Sequence, residues 1–159
     1  MAIEQERSMA ESHEPHEIET IIANRNLAEA AKASADAEAK RKIHELADKV
    51  KQALVGAQET LREEITKANE AIKRGGRTEE FQYQTSSQPA AGKILTANLK
   101  LADGIGVLRD CVITVDASEG KIVVRSHGVT LHQSLINILL VKREDWSKFL
   151  SGMYASNMR

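Results

Sequence analysis

Few residues of this chain are of a type and spacing that could do chemistry. Cys111, His127 and His132 could form a nucleophile and base if the fold brought them together. Such a pair needs an exposed, activated thiolate. The alternation in "VLRDCVITVD" instead puts Cys111 with Val107, Ile113 and Val115 on one apolar strand face, interrupted by Arg109, so a buried structural cysteine is expected. His127 falls in a turn, "SHG". His13 and His16 flank Pro15 in a polar start to the chain, where a solvated role is expected, and His44 lies beside an apolar helical stripe and is expected to be exposed.

Phosphate-binding patterns fail on context. "DGIGVLR" has Gly104 and Gly106, but Arg109 stands where a dinucleotide fingerprint needs its third glycine, and no helix follows. "EGK" lacks the flanking residues of a phosphate loop. No pair of carboxylates is placed for acid/base work, and no metal site or cofactor is expected. The remaining possibility is "KRGGR", whose Arg74 and Arg77 stand near Phe81 and Tyr83. Positive charge beside stackable rings can hold a single strand or a phosphate backbone. Glu79 and Glu80 follow directly and cancel much of that field.

The elements around these residues divide into two vocabularies. Before Gly75 the chain is rich in Ala, Glu and Lys, and after Phe81 in Val, Ile, Leu, Thr and Gly, which are helix-forming and strand-forming sets. An α+β fold is therefore expected, with a flexible tail over 1–16, a long helix over 17–73, a hinge over 74–80 and a small antiparallel β-domain with a C-terminal helix over 81–159. The helix is expected to start near Glu17 or Ile18, since Pro15 disfavours helix before it and acidic residues crowd the first turn. Strands are expected in "FQYQ", "KILTANLKLA", "VLRDCVITVD" and "KIVVRS", with a last long segment in "VTLHQSLINILLV" whose end, apolar on both faces, reads as central or interfacial. Trp146, Phe149, Leu150, Met153 and Tyr154 recur at helical spacing as a lid over the sheet.

Within the long helix Ile43, Leu46, Val50, Leu54, Ala57, Leu61, Ile65, Ala68 and Ile72 follow an eleven-residue repeat. A heptad drawn through the same segment puts Glu64 in the seam. A helix of roughly 80 Å looks too long to bury this stripe on a domain of half the chain, so Ile43, Leu46, Val50, Leu54, Leu61, Ile65 and Ile72 are expected to drive homo-oligomerisation, as a dimer or trimer. That association is expected to be firmest beside "KRGGR" and weaker in the alanine-rich start of the helix.

Composition sets the class. A net charge of -1 and 3% aromatics imply neither a strong nucleic-acid field nor an aromatic-anchored core. One cysteine excludes an internal disulfide, and no apolar run is long enough for a membrane span, so a cytoplasmic location is expected, including a host cytoplasm. The function these features point to is a non-enzymatic, homo-oligomeric structural or adaptor protein with a protein partner. Nucleic-acid binding through the basic hinge and inhibition of a partner protein are the alternatives.

Overall fold

The computed structural model describes residues 16–126, 129–130, 135 and 137–157. The expected flexible tail, apart from His16, and the histidines His127 and His132 lie outside the described residues. The elements are helix α1 (Glu17–Arg74), strands β1 (Glu80–Thr85), β2 (Lys93–Ala102), β3 (Val107–Asp116), β4 (Ile122–Ser126) and β5 (Val129–Thr130), and helix α2 (Arg143–Asn157). The strands form an antiparallel meander in chain order. This is the expected α+β arrangement.

His16 caps α1: the Ile18 amide donates to its Nδ1 at 3.1 Å, and its own amide donates to Glu19 Oε2 at 3.3 Å, the reciprocal pattern of a capping box. At the other end Gly76 adopts φ 75°, and the Arg77 amide reaches back to the Ile72 carbonyl at 3.1 Å. That is a Schellman ending, which glycine permits in the left-handed region. "KRGGR" therefore stops the helix by satisfying its last carbonyls.

Residues Met1–Lys42 and Ile43–Arg159 are two units. In the first, residues 17–42 are helical and all the described residues are exposed, Ile18, Ile21, Ile22 and Leu27 among them.

In the second unit, the eleven-residue stripe from Val50 to Ile72 is the helical wall of the chain's own core. Val50 (0%), Leu54, Leu61 (1%), Ile65 and Ile72 are buried in one cluster with Leu99, Leu101, Cys111, Ile113 and Val115 of the sheet and Trp146, Phe149 and Leu150 of α2. This corrects the expectation that these five residues form an intermolecular seam, and with it the idea that association is firmest beside the hinge. The physical reason is a match of lengths. Val50 to Ile72 spans about 33 Å of helix, and β2 and β3, ten residues each, run about 30 Å. Ile43 stays exposed and Leu46 is half-buried.

Strand register places the apolar residues in rows across the inner face: Phe81 opposite Leu101, Leu99 opposite Cys111, Ala97 opposite Ile113, and Ile113 opposite Val124. A one-residue slip would turn each of these to solvent. The outer face is mixed, with Val112 exposed between Asn98 and Arg125.

The outer edge of β1 is held by α1. Asn69 Oδ1 accepts from the Phe81 amide at 2.7 Å and its Nδ2 donates to the Phe81 carbonyl at 3.1 Å, so one side chain completes both peptide groups of an edge residue. Asn69→Ala is expected to cost about 1–3 kcal/mol by orphaning both groups, read as a shift in urea midpoint. Faster amide exchange at Phe81 than elsewhere in β1 should accompany it.

The last strand expected from sequence does not extend through the described residues 137–141. Asn137 forms an isolated bridge with Lys121, and its side chain accepts from the Leu139 amide at 2.8 Å while its carbonyl accepts from Leu140 and Val141. This side-chain turn competes with strand pairing. It buries Ile138 and leaves Leu140 73% exposed.

Candidate functional site

Cys111 occupies the expected position on the inner face of β3, 3% exposed beside α2. Burial, helped by the nearby Asp110 carboxylate, pushes its thiol up to about 12. A thiol so held is protonated at neutral pH and is a poor nucleophile. Two results are expected. In the native protein Cys111 resists a thiol reagent at pH 8 and reacts fully once unfolded in guanidinium. Because the folded thiol holds its proton to higher pH than the unfolded one, its contribution to stability is fully present below about pH 9 and declines from there towards 12. Thermal melts from pH 8 to 11, compared with Cys111→Ala, measure that decline.

Of the hinge residues expected to grip nucleic acid, Arg77, Phe81 and Tyr83 are engaged within the fold. Phe81 is 3% exposed and packs on Tyr154, with ring centroids 6.5 Å apart. Tyr83 is half-buried, and the Arg62 guanidinium covers its ring at 5.7 Å from the centroid. Burial raises the Tyr83 phenol. The Phe81 ring is enclosed and offers no face to a base, and Arg62 covers one face of the Tyr83 ring. Arg77 Nη2 donates to Glu79 Oε1 at 2.7 Å, and this pairing holds the Glu79 carboxyl below the usual carboxylate range. Arg74 is exposed.

Around the same turn lies an open cleft of ≈620 Å³. Ala68, Ile72, Phe81 and Leu150 give it an apolar floor, and Lys67 and Arg74 stand on its rim. Glu64 also lines it, and is bound by Arg143, the first residue of α2. Arg143 donates from Nη1 to Glu64 at 2.9 Å and from Nη2 to Glu63 at 2.6 Å, tying the start of α2 to α1. Glu64 is the residue that spoils a heptad through this segment. It does lie on the buried side of α1, satisfied by Arg143 and Lys67. Nothing periodic in the sequence marks Arg143 as its partner, nor Asn69 as the partner of Phe81.

Compared with protein-family models, curated proteins and solved structures, the chain matches none. The functional reading therefore rests on geometry. Among the described residues no group of histidine, cysteine and carboxylate side chains could hold a metal ion, and no helix is long and apolar enough to cross a membrane. His44 is exposed on α1. The feature that the fold leaves without a structural explanation is the helical segment 17–42. It is exposed on every side and carries Ile18, Ile21, Ile22 and Leu27.

Proposed function

We propose that the chain is a non-enzymatic, self-associating structural or adaptor protein. Residues 17–42 of α1 join copies, and the unit of sheet and α2 is the body they display to a protein partner. One observation supports this reading: a helix of more than six turns with every described side chain exposed, four large aliphatic residues among them. Helices in folded proteins owe most of their stability to a packed face rather than to intrinsic propensity. Ion pairs along the surface, Arg25 with Glu29 and Arg41 with Glu38, add only tenths of a kcal/mol each on the general scale of about 0.3–0.5 for such pairs. A second copy supplies the missing face at no cost in new sequence.

The reading differs from a long coiled coil in where the contacts fall, since Val50 to Ile72 serve the core of each chain. Light scattering is expected to give a multiple of the chain mass at about 50 µM, within the range of ordinary oligomer affinities. Replacing Ile21 and Ile22 by serine should lower that mass towards one chain while leaving the melting of the sheet unit almost unchanged, as surface substitutions do. A wild-type chain that is monomeric there overturns the proposal.

A further inference from the structure

Residues 18–39 of α1 carry a second stripe, separate from the one in the core. Ile18, Ile22, Arg25, Glu29, Lys32, Asp36 and Ala39 follow at alternating spacings of four and three, the heptad pattern of a two-helix seam. All seven are exposed. Four of them are charged, which would be a poor seam for most partners. Their order is the informative part.

We propose that this stripe pairs antiparallel with the same stripe of a second copy, about a two-fold axis passing between residues 30 and 31. This rests on the self-association proposed above and adds its orientation and register. With that axis Ile22 faces Ala39, Arg25 faces Asp36 and Glu29 faces Lys32 of the second copy, and symmetry repeats each contact. Every charged residue of the stripe meets its opposite. In a parallel, in-register pair each would meet itself, giving Arg against Arg, Glu against Glu, Lys against Lys and Asp against Asp.

Within each helix Arg25 Nε already donates to Glu29 Oε1 at 3.2 Å. In the antiparallel pair this ion pair extends into a four-charge cluster, Arg25 and Glu29 of one copy with Lys32 and Asp36 of the other. On the flank, Glu19 approaches Lys40 of the second copy. Polar residues at seam positions lower stability and fix orientation and register, so the association is expected to be weak, salt-sensitive and strongly directional.

The test uses the full chain and three readings. Sedimentation should show that Glu29→Lys weakens self-association about tenfold or more, since it sets like charges together at both symmetric contacts. Exchanging all four charges (Arg25→Asp, Glu29→Lys, Lys32→Glu, Asp36→Arg) keeps every pairing within and between helices and should restore it. A spin label at Thr20→Cys reads the orientation, because the buried Cys111 stays unlabelled. Antiparallel copies separate the two labels by about 30 Å along the helix axis, whereas parallel copies set them side by side. An unchanged affinity in Glu29→Lys, no recovery in the fourfold exchange, or labels side by side in an associating protein overturns the antiparallel pairing and leaves the proposed function standing. A wild-type monomer overturns both.

Discussion

Gly120→Ala is expected to destabilise the protein by about 2–4 kcal/mol, the sum of a left-handed backbone penalty and overpacking. Gly120 has φ 77° at the end of the β3–β4 turn. A Cβ there would lie 2.6 Å from Ile138 Cγ2, 3.1 Å from Val50 Cγ2 and 3.3 Å from Asn137 Oδ1. The crowding comes from three sides, so one rotamer change cannot relieve it. The turn is itself fixed. Its amide donates to the Asp116 carbonyl at 3.0 Å, its carbonyl accepts from the Ile138 amide at 2.8 Å, and the Asp116 carboxylate accepts from the Ser118 hydroxyl and the Glu119 amide. Those bonds also hold the Asp116 carboxyl below the ordinary carboxylate range. The expected readout is a lower urea midpoint with the denaturant slope unchanged. Gly104→Ala, with open space around its Cβ position, is the matched control and should have little effect.

Leu61→Ala should cost about 2–5 kcal/mol, the usual range for emptying a leucine site in a close-packed core. Leu61 is 1% exposed, in the middle of the helical wall between Leu54 and Ile65. The size of the loss does not by itself separate a core from an intermolecular seam; its dependence on protein concentration does. Leu61 is enclosed by its own chain, so the loss should be the same across a hundredfold dilution. A seam residue would show a loss that shrinks on dilution, because the wild-type contact it removes is itself lost by mass action.

Much of the fold was legible because it is written in short-range periodicity. β2 and β3 match "KILTANLKLA" and "VLRDCVITVD" in their bounds, and Trp146, Phe149 and Leu150 fall on the buried face of α2 as their spacing implies. The eleven-residue stripe was also legible as a buried face. What it is buried against was not, since periodicity reports that a face is covered and says nothing of whether the cover comes from the same chain. Comparing the 50–72 segment with the length of a ten-residue strand would have raised the intrachain answer. Apolar content misled at the end of "VTLHQSLINILLV", where the Asn137 side chain builds a turn. The contacts that fix the unit, Asn69 to Phe81 and Arg143 to Glu64, join residues far apart in sequence and leave no local pattern. Of the hinge residues, spacing showed that Arg74, Arg77, Phe81 and Tyr83 are near one another, but not that Glu79, Tyr154 and Arg62 already engage Arg77, Phe81 and Tyr83.

The proposed division of α1 into a core half and an association half can be tested in one experiment. Amide hydrogen exchange of the full chain, resolved by segment, would be followed at about 1 µM and about 100 µM, concentrations that bracket a weak oligomer affinity. Amides of residues 50–72 are expected to be strongly protected to the same degree at both concentrations, and those of residues 17–42 to be weakly protected when dilute and clearly more so when concentrated. Protection in 17–42 that does not change with concentration, or protection in 50–72 that falls on dilution, contradicts it.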